Sequence, residues 1–331
     1  MSTLIEPILD PQFRRFTLFP ITYPQLWKLY KTQVASFWKA EEIDFSKDRE
    51  DFESLSENEQ HYIKRILGFF ASSDGIVNFN LSKRFLQELV PMEATICYNY
   101  QMVMENIHSE SYSIMLDNIV ENREEREFLF KSIETVESIK KISDWALKWI
   151  ESDLPFAFRV VAFCVVEGIF FSGAFASIFW IKRFKSNGKL FLSGLIKSNE
   201  FIARDEGLHV QFGVTIYHLL QHHLSYQQAC SIIDEGVEIC REFYTDALPV
   251  SLLGMKCESM MEYIQYVADR LLVELGYPKL YNTANPFSFM ETIGMTTKTN
   301  FFESRPTEYQ SAHVFKGNDG GDITDILEDD F

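Results

Sequence analysis

Cysteine is scarce: Cys97, Cys164, Cys230, Cys240 and Cys257 are an odd number with no CxxC spacing, which argues against both a disulfide framework and a thiolate metal knuckle. A basic-then-apolar leader is missing at the start, and the two absences together predict a reducing, cytoplasmic compartment. Positive charge is short as well. With 31 Lys and Arg against 48 Asp and Glu, the net charge is -17, so the chain repels nucleic acid and anionic lipid, and neither is expected as a partner. No segment alternates apolar and polar residues between turn signals, so no sheet is required. One long apolar run, residues 160–181, holds a single charge, Glu167. A carboxylate in mid-bilayer is costly, and no second spanning segment is there to shelter it. The run therefore reads as a central helix buried on all sides in a soluble bundle.

Helical periodicity fills most of the rest. Ser56 and Glu59 form a capping box ahead of a helix predicted to reach about residue 87. Further helices are predicted over about 91–120, 125–150, 157–185, 192–221, 225–245 and 258–275, the last closed by Gly276 and Pro278. The fold class is all-α. Residues 1–20 contain three prolines and no clear period, which predicts an arm laid over the surface. A helical domain over 21–302 follows. From Glu303 the chain turns polar, and its last thirteen residues hold six acids, so 303–331 is expected to be a flexible tail.

Two segments have the form Glu-x-x-His, Glu105 to His108 and Glu206 to His209. Residues three apart share a helix face, so each pair offers a carboxylate and an imidazole to one point. A chain with seven His yields roughly two thirds of one such match by chance, so a single pair means little. What precedes each pair adds weight. Asp74 lies one helix ahead of Glu105, and Glu167 one helix ahead of Glu206. A carboxylate helix followed by a Glu-x-x-His helix, twice over, is the arrangement of ferritin-like dimetal bundles, a general pattern applied here. Four carboxylates and two imidazoles suit iron or manganese and argue against structural zinc. Buried together they require cations. Tyr112, seven after Glu105 and four after His108, shares their face, while Phe171, Phe175 and Ile202 would wall it. Taken singly, each of these acids, histidines and rings is more often an ordinary core residue. The other histidines, His61, His218, His222, His223 and His313, have no matched carboxylates and read as surface or tail.

The segments SFWKAEEIDFSKD, MENIHSESYS, FFSGAFASIFW, RDEGLH, FFESRPTEYQ and the terminal Asp-Phe occur in this order. Together they resemble the small subunit of class I ribonucleotide reductase, in its eukaryotic and eukaryotic-virus form. The likeness runs from about residue 20 to 331 and is weaker over 91–100. It implies a ferritin-like bundle with a carboxylate-bridged di-iron centre, two Fe ions per chain, with manganese left open. Asp74, Glu105 and His108 would hold one ion, and Glu167, Glu206 and His209 the other. The resemblance also implies Tyr112 as a stable tyrosyl radical in a pocket of Phe171, Phe175 and Ile202. Trp38, Asp205 and Tyr309 would be the transfer path. The implied assembly is a homodimer docked by its tail on a large subunit, which binds ribonucleoside diphosphates and reduces them for DNA replication. The chain's lack of a glycine-rich phosphate loop fits substrate binding elsewhere.

Asp205 lies about 100° around the helix from Glu206, so it is free for a hydrogen bond behind the metals instead of ligation. In the tail, Ile323, Ile326, Leu327 and Phe331 form one apolar stripe among acids, which is expected to seat in a groove of the large subunit. Iron storage or simple oxidase chemistry on the same bundle is the rival reading, and a non-catalytic partner subunit is another. The first leaves Trp38, Asp205 and Tyr309 without a task, and the second leaves six ligands and Tyr112 without one.

Overall fold

The computed structural model describes residues 6–186, 188–248, 252 and 255–290. Among them nine main helices form the body: α1 Pro24–Ala35, α2 Glu57–Asn80, α3 Met92–Ile119, α4 Glu137–Glu151, α5 Phe156–Val165, α6 Phe171–Phe184, α7 Ser193–Leu219, α8 Tyr226–Ala247 and α9 Cys257–Glu274. No strand occurs among the described residues. The predicted helix boundaries largely hold because they follow local chemistry. Ser56 Oγ accepts from the Glu59 amide while the Glu59 carboxylate accepts from the Ser56 amide, so α2 starts where its orphan donors are satisfied. Ser225 and Gln228 do the same for α8.

Four features depart from the pattern, the first being that the helix begun at Ser56 passes beyond Asn80 through a π-helical turn over Leu81–Phe85. The helix expected over 125–150 is broken into Arg123–Phe130, Ser132–Thr135 and α4. Ser132 Oγ donates to the Gly68 carbonyl of α2 at 2.6 Å, so tertiary docking outweighs continuous helical bonding there. A helix also occupies residues 24–35, ahead of the first one expected. Finally, α5 and α6 are joined by a π-helical turn over Val166–Phe170, so the apolar run is not one regular helix. It spans Phe156–Phe184, and its most apolar 18-residue stretch is 89% buried. That burial places it as the bundle's core element, as its central acid required.

The first turn of α7 has unsatisfied amides like any helix, and Leu192 before it sits at φ 45, a conformation that offers no cap of its own. Acids from outside supply the cap. Asp48 accepts from the Gly194 amide at 3.0 Å and the Leu195 amide at 2.6 Å, and Asp51 accepts from Leu192 at 2.8 Å. Gly194 is required for this approach, since a Cβ there would lie 2.5 Å from the Phe45 ring. Burial, partly offset by these amides, raises the Asp48 carboxyl from its usual 3.8 to about 6.

Past the end of α7, Glu6 accepts from the Gln221 and His222 amides and pairs with His222 Nδ1 at 2.9 Å. His222 is therefore not the carboxylate-free histidine expected from sequence. Its partner lies more than two hundred residues away, beyond the reach of a spacing argument. His61, His218 and His223 are exposed, and His313 lies outside the described residues.

Candidate metal centre and its tyrosine

Asp74 projects from α2, Glu105 and His108 from α3, Glu167 from the π turn, and Glu206 and His209 from α7. All six are buried. One donor atom each from Asp74, Glu105 and His108 lie within 4.8 Å of one another, and so do atoms from Glu105, Glu167, Glu206 and His209. Glu105 thus belongs to both groups, a sharing that spacing did not reveal. His209 Nδ1 is 3.0 Å from Glu105, 3.1 Å from Glu206 and 3.4 Å from Glu167. His108 Nδ1 is 3.1 Å from Glu206 and 3.3 Å from Glu105. Gln101 donates to both Glu105 and Glu167 at 3.3 Å.

Whether these residues fit a metal pair can be tested on their unsatisfied atoms. Asp74 Oδ2, Glu105 Oε2, Glu167 Oε2, Glu206 Oε1 and His108 Nδ1 are buried without a hydrogen-bond partner. Four carboxylates and two imidazoles crowded in an apolar core, with lone pairs left outside well-aligned hydrogen bonds, are costly, and cations remove the cost. The donor set of oxygen and imidazole nitrogen suits iron or manganese. The residues fit the group.

Without cations the cluster shares protons instead. Burial, then repulsion from Glu105, holds the Asp74 carboxyl well above its usual range. Burial, then Glu206 and Glu105, does the same to Glu167. Burial opposes charge on both imidazoles, yet contact with Asp205, Glu105 and Glu206 raises His108, and Glu206 and Glu105 raise His209. Glu206 moves the other way, because the charge on His209 and contact with His108 outweigh burial. These are the protons that metal ions would displace.

Tyr112 is sealed beside the cluster. Its ring stacks on Phe70 with centroids 4.5 Å apart and planes 4° from parallel. Phe70 in turn meets Phe175 at 5.1 Å and Phe171 at 5.9 Å, and Ile202 is buried. The hydroxyl has no hydrogen-bond partner. Burial, then the Asp74 charge, raises the phenol well above its usual value, so it stays protonated.

A path leads outward from His108. Its Nε2 lies 3.2 Å from Asp205 Oδ2, and the same oxygen accepts from Trp38 Nε1 at 2.6 Å. Arg204 holds the other Asp205 oxygen at 3.0 and 3.2 Å and donates to the Ser36 carbonyl at 2.7 Å. Trp38 is buried, while its neighbour Phe37 is 53% exposed. Tyr309 and the tail stripe lie outside the described residues.

Sequence reasoning missed Phe70, Gln101 and Arg204. Phe70 lies four before Asp74 and Gln101 four before Glu105, so a search along the face of each ligand would have found both. Arg204 had only its adjacency to Asp205.

Residues 15–286 match the family model of the ribonucleotide reductase small chain. The protein is 49% identical to a ribonucleoside-diphosphate reductase small subunit of Arabidopsis thaliana, over 98% of each. It is also 49% identical to the corresponding protein of vaccinia virus strain Ankara, over 97% of this sequence and 99% of that one. Among solved structures, it resembles the Rnr4 homodimer of Saccharomyces cerevisiae, with a TM-score of 0.77 and 38% identity over 88% of this sequence and 91% of that one. A ribonucleotide reductase R2 subunit from Clostridium botulinum, 22% identical over 84% of this sequence and 90% of that one, shares the fold with a TM-score of 0.75. A helical bundle carrying this buried carboxylate and imidazole cluster, with such relatives along almost its whole length, belongs to the ribonucleotide reductase small-chain family.

Proposed function

We propose that this protein generates and exports a tyrosyl radical for a class I ribonucleoside-diphosphate reductase. The observation that carries the reading is the unbroken contact from Trp38, next to the exposed Phe37, through Asp205 to His108 of the ligand cluster beside Tyr112. Asp74, Glu105 and His108 would hold one iron, and Glu167, Glu206 and His209, with Glu105 shared, the other. When bound, the iron pair reacts with dioxygen and supplies the one-electron oxidant.

The side chains do the rest. Tyr112 gives up an electron and its phenolic proton, and the proton passes toward Asp74, the acid whose charge acts most strongly on the phenol. The wall of Phe70, Phe171, Phe175 and Ile202 keeps water and reductants from the phenoxyl radical. In export, Trp38 is oxidised while its N–H is held by Asp205, so the proton has a carboxylate to move to as the charge leaves. Tyr309 continues the relay. A separate large subunit binds the ribonucleotide, docks the stripe of Ile323, Ile326, Leu327 and Phe331, and faces a homodimer of this protein. The Saccharomyces relative is itself a homodimer.

Metal analysis and electron paramagnetic resonance, after iron(II) and oxygen are added to metal-free protein, test the reading. Two ions per chain and a tyrosyl signal are expected. Full iron occupancy with no organic radical would refute it, and the same assay with manganese(II) decides the metal.

A further inference from the structure

An apolar cavity lies between α2, α4 and α5. Its volume open to the centre of a water-sized molecule is about 20 Å³, room for one such molecule. Its wall includes the buried Val77, Ala162, Phe163 and Val166 and the partly exposed Ile76 and Trp149, with the buried Asn80 and Arg159 as polar members. The wall thus combines core residues with partly exposed ones.

Its wall adjoins the ligands. Val77 is one helical turn beyond Asp74, on the same face of α2. Val166 directly precedes Glu167 in the π turn. Phe163 packs edge-on against Tyr98, with centroids 6.4 Å apart and planes at 84°. The Tyr98 hydroxyl is buried without a hydrogen-bond partner, and it lies close enough to Glu167 to feel its charge. Val166 and the Phe163–Tyr98 pair thus join the cavity wall to the neighbourhood of Glu167. Most of the wall is apolar, so a small apolar molecule loses no hydrogen bonds by entering.

We propose that this cavity is the binding site from which dioxygen reaches the Glu167 side of the metal centre. The inference rests on the oxygen-dependent function proposed above. Phe163 lines the cavity with Tyr98 packed against it, and displacement of these two rings opens the last step.

Xenon, an apolar gas of suitable size, is the probe. Wild-type crystals under xenon pressure should show it between Val77, Ala162 and Val166, and Ala162→Leu should exclude it. In solution, Ala162→Leu, and separately Ala146→Leu at another cavity wall, should bind iron(II) as wild type does. Both should slow its oxidation at limiting oxygen by about tenfold. A cavity that takes no xenon, or filled variants that oxidise iron(II) at the wild-type rate, would overturn the proposal. Oxidation is read in a Tyr112→Phe background as well. A wild type that oxidises iron yet forms no radical then refutes the proposed function and leaves the cavity comparison intact.

Discussion

Trp38 and His108 hydrogen-bond to the same oxygen atom of Asp205, and their rings stack with centroids 5.9 Å apart and planes 19° from parallel. Two aromatic groups that differ in redox chemistry are thus held in one register by a single carboxylate, itself fixed by Arg204.

Asp205→Ala should separate radical formation from radical use. The variant leaves the indole N–H buried and unpartnered, at a cost of about 1–3 kcal/mol. Thermal denaturation should show that loss, metal content should be unchanged, and turnover with a large subunit should fall by about a hundredfold or more. Normal turnover would remove Asp205 from the path.

Tyr112→Phe removes a hydroxyl that no hydrogen bond compensates. The metal-free variant should therefore be at least as stable as wild type, by up to about 1 kcal/mol. Its tyrosyl resonance and reductase activity should both vanish. A clear drop in melting temperature would point to a polar partner for the hydroxyl.

Because Glu105 belongs to both ligand groups, Glu105→Ala and Asp74→Ala should differ in kind. The first should lose both ions and the second chiefly one, as counted by metal analysis after dialysis. Wild-type melting should rise as iron(II) is added, through binding linked to the folded state, and Glu105→Ala should not respond. Equal stoichiometry in the two variants would contradict the sharing.

The cap on α7 carries a pH signature. The folded Asp48 carboxyl titrates near 6 against 3.8 in its ordinary state, so the folded protein binds this proton more tightly than the unfolded one. The contribution to stability is complete below about pH 3.8 and is lost as pH rises through about 6, a change of about 3 kcal/mol at most. Denaturant melts of wild type and Asp48→Asn should converge or cross over that window and run parallel above it. Parallel curves from pH 4 to 7 would mean Asp48 is ionised throughout.

Deleting residues 323–331 should leave metals and radical intact and abolish association with a large subunit, which the matching free peptide should in turn inhibit. Tyr309→Phe should associate normally and not turn over. Tight binding by the truncated protein, measured by calorimetry, would move the docking role elsewhere.

The ligand cluster was legible because Glu105–His108 and Glu206–His209 obey a helical period that needs no tertiary knowledge, and α2 and α8 announce their starts in their own capping boxes. What the sequence hid depends on distant partners or on irregular backbone. Phe70 reaches Tyr112 from another helix. Ser132 breaks a helix in order to reach Gly68. The π turn changes the register just where Glu167 was read on a regular helix with Phe171 and Phe175. Tyr112 still meets that cluster, through Phe70.

The helix that supplies Asp205, Glu206 and His209 is fastened at both ends by acids from the first fifty-one residues: Asp48 and Asp51 at its start, Glu6 just past its end. These ties span 141 to 216 residues of sequence, and contacts that close such long loops form late. Segments made early in synthesis must wait for most of the bundle before they can lock α7. Competence to bind metal therefore matures after the core has collapsed, and iron uptake during refolding should lag the recovery of helical signal.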